Sequence, residues 1–169
     1  MIHFVTTILL SFMLQADSPT KPYEAYVFLH DECIISKHYT LALNELQKTH
    51  KNNVKFYGVF PNPNVDQARI KAYKEKYSID FTCISDPDFK LTEKFGATIT
   101  PEVFVVRVQT SEIVYFGRID NSYARVGRKR SKVTRQELKD VLYDLHSKGK
   151  TDVTHEPAIG CLITQINMN

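Results

Sequence analysis

The chain predicts an α/β fold with a central mixed β-sheet flanked by helices on both faces, on three observations. Short apolar runs of strand type alternate with amphipathic stretches from Tyr23 onward. The first apolar run stops at His30-Asp31-Glu32, and Cys33 stands where the next helix opens. Further along, Glu102–Val108 and Glu112–Gly117 flank the polar turn Gln109-Thr110-Ser111, a hairpin that makes the last pairing antiparallel.

The elements follow in order. Tyr26–Leu29 predicts the first strand, and the helix after Cys33 sets Tyr39, Ala42, Leu43 and Leu46 on one buried stripe. Val54–Phe60 predicts the second strand, closed by Pro61-Asn62-Pro63-Asn64. A second helix carries Ala68, Tyr73 and Tyr77 on one face and Lys71, Lys74 and Glu75 elsewhere. Phe81–Ser85 predicts the third strand, ended by Asp86-Pro87-Asp88, and a short helix from Phe89 to Phe95 stops at Gly96 as a left-handed cap requires. A loop is expected across Asn121 to Val133. Thr134 and Glu137 stand at capping-box spacing before a last helix that buries Leu138, Val141, Leu142 and Leu145 and ends at Gly149. The tail beyond Lys150 is polar until Ala158-Ile159-Gly160-Cys161-Leu162-Ile163.

The 169 residues, 43% hydrophobic and 24% charged, suit one globular domain that buries a core without disulfide staples. Net charge is +3, and the densest basic stretch, Arg125 to Lys132, has no aromatic platform beside it. It reads as a solvated loop, with no nucleic-acid partner. Met1 to Ala16 carry no Lys, Arg, Asp or Glu, and Phe4 to Leu14 is nearly all apolar, a length that suits a secretory signal and is short for a bilayer span. The expected organisation is a signal peptide over 1–16, a domain over 17–149 and a tail over 150–169. The expected location is outside the cytoplasm, periplasmic or secreted, where cysteines can pair. A buried N-terminal strand is the alternative for the first segment.

Three cysteines frame the chemistry. A strand-to-helix turn puts Cys33 near the free N–H groups of a helix N-terminus, where the dipole favours thiolate, the nucleophile of disulfide exchange. Lys37 and the Ser36 hydroxyl favour thiolate as well, while Asp31 and Glu32 oppose it, so the sign of the net effect stays open. The plainer reading of Cys33 is a small packed hydrophobe, and of Ser36 a helix-opening residue bonded to backbone alone. Cys83, inside a strand, reads as a buried inert thiol. Cys161 follows Gly160 in a polar tail, with Leu162 and Ile163 able to anchor it; an unburied cysteine in an exported protein has a partner or a reaction, or is an adventitious surface thiol. His30 and His38 near Cys33, and His155 before Cys161, offer imidazole beside thiolate, though at no recognised metal spacing.

The strand–Cys33–helix unit, the stretch Gly96-Ala97-Thr98-Ile99-Thr100-Pro101-Glu102-Val103-Phe104-Val105, and the hairpin into Tyr115-Phe116-Gly117-Arg118-Ile119-Asp120 together resemble the redoxin (AhpC/TSA-like) branch of the thioredoxin-like superfamily. The resemblance covers about Tyr23 to Gly149. It implies a nucleophilic role for Cys33, a cis-proline at Pro101, and a substrate-facing backbone at Thr100. Ser36 takes the place of the second cysteine of a Cys-x-x-Cys pair, so no disulfide can close inside the motif. His30 and Tyr26 stand where peroxiredoxins carry a threonine and a proline before the peroxidatic cysteine, a departure from the peroxide pocket.

The expectation is a thiol–disulfide oxidoreductase acting on a protein or small-molecule disulfide or thiol. Cys33 attacks, and Cys161 or an external thiol resolves. No cofactor is expected, and the oligomeric state is left open. The rivals are a copper- or partner-binding protein of the same fold, using Cys33, Cys161 and a histidine, and a weak thiol peroxidase. Ten residues separate Gly149 from Gly160, enough extended chain to span roughly 33 Å, so the tail can reach the motif. Arg118 and Asp120 are either structural charges or substrate contacts.

Overall fold

The computed structural model describes residues 21–164. The expected signal segment, 1–16, lies outside them. Nine strands and four helices are present among the described residues, and five strands form one sheet in the order β3-β2-β1-β5-β6. The central strand β1 (Tyr23–Phe28) runs parallel to β2 (Val54–Phe60), which runs parallel to β3 (Thr82–Ser85). On its other side β1 is antiparallel to β5 (Glu102–Arg107), which pairs antiparallel with β6 (Glu112–Gly117). The sheet is therefore mixed, and the architecture is the thioredoxin-like α/β fold.

Its two faces are covered unequally. Ala25, Val27, Phe56, Val103 and Val105 point into the larger core, with Ile35, Tyr39 and Leu43 from α1 (Ile34–His50). Ile70 and Tyr73 from α2 (Gln67–Tyr77) and Leu138, Val141, Leu142 and Leu145 from α4 (Glu137–Lys148) complete it. Each fully buried leucine or phenylalanine is worth about 1.5–3 kcal/mol, so this face supplies most of the driving force. The opposite face packs Phe28, Val59, Ala97 and Phe104 beneath Leu91 and Phe95 of α3 (Lys90–Phe95), with Ile163 of the tail.

Several boundaries differ from the sequence reading. β1 starts at Tyr23 rather than Tyr26, because the charged Glu24 is tolerated under two tyrosine hydroxyls: Tyr26 and Tyr57 donate to it at 2.7 and 3.2 Å. On α2 the inward face is Ile70 and Tyr73, and Ala68 is exposed. Asp66 caps that helix by accepting from the Arg69 N–H at 2.8 Å. The stretch expected as a loop from Asn121 to Val133 contains a small exposed hairpin, β7 (Tyr123–Arg125) with β8 (Arg128–Lys129). α4 does not use its capping box. Asn121 Oδ1 accepts from the Thr134 and Arg135 N–H groups instead, and Glu137 is buried against Arg118. A long-range ion pair claimed the carboxylate that local spacing had assigned to the cap.

Residues 150–164 run along the domain. Ala158 is buried, and β9 (Cys161–Leu162) pairs antiparallel with β4 (Ile99–Thr100). Gly117 makes the upstream contact possible: its φ is +136°, and a Cβ there would lie 2.2 Å from the Glu156 carbonyl oxygen. Among the described residues, no helix is long and apolar enough to cross a membrane.

A candidate thiol–thiol site

Cys33 sits at the N-cap of α1, just past the end of β1. Its backbone N–H donates to the His30 carbonyl at 3.1 Å, and its own carbonyl receives the Lys37 N–H at 3.0 Å. The Cys33 side chain makes no capping hydrogen bond and is only 3% exposed. Ser36, fully buried, accepts the His30 N–H on its hydroxyl at 3.2 Å and so ties the turn to the first helical turn. As a neutral thiol, Cys33 donates to the Thr100 carbonyl at 3.4 Å. The Thr100–Pro101 peptide bond is cis, and both residues are buried.

Across that contact lies Cys161. β9 places it in register with Thr100, the residue that the Cys33 thiol contacts, so the two cysteines are neighbours across that strand. The structure thus brings Cys33, Ser36, Thr100 and Cys161 together, with Pro101 as the next residue of the wall. All three cysteines are free thiols. Burial is the largest single influence on Cys33 and raises its pKa. The Cys161 S–H, the Ser36 N–H and hydroxyl and the Ile35 N–H all favour the thiolate, and together they carry Cys33 below its ordinary value. Cys161 goes the other way. Burial, the hydrogen bond to Cys33 and the charge of that neighbour push it up to about 12.

The acidic residues that sequence alone set against the thiolate are engaged elsewhere. Arg69 pairs with Asp31 and, at 3.0 Å, with Glu32. Arg69 is the residue that sequence reading missed; it lies on α2 and carries no local signal linking it to the Cys33 turn. Lys37 donates to the Glu32 carbonyl at 3.4 Å rather than to the sulfur. Cys83 is half-buried in β3, and burial pushes its thiol up to about 11.

The remaining candidates are dispersed. Arg118 binds buried Glu137, and Asp120 accepts from the Tyr39 hydroxyl and the Ser122 N–H, so both serve the fold. His30 Nδ1 accepts the Glu32 N–H at 3.1 Å; His155 accepts the Phe116 N–H at 3.2 Å and stacks on that ring. Among the described residues, no three His, Cys, Asp or Glu side chains gather as a metal site. The histidine that a copper-binding reading needs is therefore not beside the thiols.

A family model for AhpC/TSA matches residues 15–115. A hypothetical protein from Sinorhizobium meliloti 1021 superposes with a TM-score of 0.74 at 25% identity, over 87% of this chain and 81% of its own. An uncharacterized conserved protein from Geobacillus kaustophilus does so at 0.76 and 21% identity, over 88% and 80%. A Chlorobium tepidum protein whose name assigns it to thiol:disulfide interchange (DsbE) is similar in fold, at 0.51 and 14% identity over 57% and 67%. No curated protein matches the chain. With the family model covering more than half its length, the chain belongs to the AhpC/TSA family.

Proposed function

We propose that the protein is a thiol–disulfide oxidoreductase of the redoxin type, with Cys33 as nucleophile and Cys161 as resolving thiol. The observation that carries this reading is the seating of β9 on β4, which sets Cys161 opposite Thr100, the residue whose carbonyl accepts from the Cys33 thiol; the surroundings lower the Cys33 pKa and raise that of Cys161. The Cys33 thiolate attacks one sulfur of a substrate disulfide R–S–S–R. A Cys33–S–S–R bond forms, the substrate S–S bond breaks, and R–S⁻ leaves and is protonated from solvent. Cys33 is then neutral, so its charge no longer holds the Cys161 proton. Cys161 gives that proton to solvent and attacks the Cys33 sulfur, and a second R–S⁻ leaves. One disulfide is reduced to two thiols while Cys33 and Cys161 become a disulfide.

In this scheme Ser36 favours the thiolate, and Thr100 and Pro101 form the wall between the two cysteines, with Thr100 paired to Cys161 of β9. Export, read from residues 4–14, would set the pair in an oxidising compartment.

The test is to treat reduced protein with a low-molecular-weight disulfide, digest it without reductant and map the linked peptides by mass spectrometry. The expected link joins Cys33 to Cys161, and Cys161→Ser stalls as a mixed disulfide on Cys33. A link from Cys33 to Cys83, or no link at all, overturns the proposal.

A further inference from the structure

The backbone edge beside Cys33 is already filled by the chain's own tail. Thr100 pairs with Cys161 and Ile99 with Leu162, and the Ile163 N–H donates to the Thr98 carbonyl at 2.9 Å. Gly160 lets this strand seat: a Cβ at that position would stand 2.0 Å from the Thr100 carbonyl oxygen, far inside van der Waals contact. The strand is pinned at both ends. Upstream, the Glu156 carbonyl accepts the Arg118 N–H at 3.0 Å, its carboxylate meets Arg135 at 3.1 Å, and Ala158 is buried. Downstream, Ile163 packs on the core formed by Phe28 and Phe104.

A polypeptide that delivers a disulfide by adding as a strand uses main-chain bonds for its affinity. Here those bonds are taken, and Cys33 beneath them is 3% exposed. We infer that the strap from Glu156 to Ile163 restricts Cys33 to low-molecular-weight disulfides, and that Gly160 is the residue that sets this specificity. The inference rests on the thiol-exchange reading above and names its substrate class. A small disulfide needs only in-line approach to one sulfur. A polypeptide must first lift the strap, so its apparent affinity falls by the fraction of molecules in which the strap is open.

Two mixed disulfides with the same leaving group separate size from chemistry: thionitrobenzoate joined to 2-mercaptoethanol, and thionitrobenzoate joined to the single cysteine of an extended peptide. In both, Cys33 bonds to the carrier sulfur and thionitrobenzoate departs with the electron pair, giving an absorbance readout. The measurement is made on full-length Cys161→Ser, which stops the reaction after the first step. It is repeated with Gly160→Val added, and again with Ile163→Asp, which weakens the downstream anchor without strain at Gly160. With the strap seated, the small probe should react faster than the peptide by roughly tenfold or more. Either strap variant should bring the ratio down toward one by raising the peptide rate. Equal rates with the strap seated, or a ratio that neither variant moves, overturn the inference and leave thiol exchange standing. Release from neither probe in any variant overturns the thiol-exchange reading, and the inference with it.

Discussion

Cys33 is buried, which by itself would keep its proton on, yet the polar groups around it, Cys161, Ser36 and the Ile35 N–H, outweigh that cost and lower its pKa. Removing one of them should be measurable. In Ser36→Ala the iodoacetamide reaction of Cys33 should slow by about tenfold at neutral pH, since a hydrogen bond to a charged group is worth about 1.5 kcal/mol. Its pH profile should move up; an unchanged profile would mean that Ser36 only braces the turn. Cys161 answers in the opposite sense. Its thiol, pushed up to about 12, should become more acidic in Cys33→Ser, because the neighbouring charge that opposes its ionisation is gone. Glu102, next to Pro101, gives a separate pH signal. Burial raises its carboxyl, against the Thr98 and Ile99 N–H groups that lower it. A raised folded-state value means that its contribution to stability is present below the unfolded-state pKa and is lost as pH rises through the folded-state value. Glu102→Gln should therefore gain on the wild type in urea midpoint between pH 4 and pH 7, and a gap that stays constant would refute this.

Among the elements, α4 shows how a distant charge can set a helix boundary. Glu137 has almost no solvent exposure and meets both Arg118 and Arg135, while Asn121 serves the N–H groups upstream. Taking away one partner of a buried pair leaves a desolvated charge, a cost of about 3–5 kcal/mol. Because Arg135 remains, Arg118→Ala should sit at the low end, about 3 kcal/mol in chemical denaturation. It should also loosen the strap, since the Arg118 guanidinium meets the Glu156 carboxylate at 3.8 Å, while the backbone bond from the Arg118 N–H to the Glu156 carbonyl remains. A loss below about 0.5 kcal/mol, the range of an ordinary surface change, would show that the pair is not integral to the fold.

For the whole molecule, the thiol pair joins the start of the domain to its last strand. Oxidation would close a loop of more than a hundred residues, and a loop on the order of 100 residues loses up to about 4.7 kcal/mol of unfolded-state entropy when cross-linked. The oxidised protein should thus unfold at higher denaturant than the reduced form, and Cys161→Ser should abolish the difference. Equal midpoints before and after oxidation would mean that no bond forms between these two sulfurs.

Local order alone determined much of this. Alternating periods placed β2 and β6 at their observed limits, Gly96 and Gly149 ended their helices in the left-handed region, and the Cys33 turn fell between β1 and α1. Those features depend on residues within a turn or two of one another, so spacing reports them. What spacing could not report was every contact made across the chain. Arg69 neutralises Asp31 and Glu32 from another element, Glu137 leaves its cap for Arg118, and Glu24 accepts from tyrosines of two strands. The acidity of Cys33 was undecidable in sequence because one of the groups that lowers its pKa, Cys161, lies in the tail. The reach of that tail was computable from its length, but its landing place was not. Only the tertiary structure decided it, because seating β9 on β4 takes a residue without a side chain at Gly160 and an anchor on each side of it.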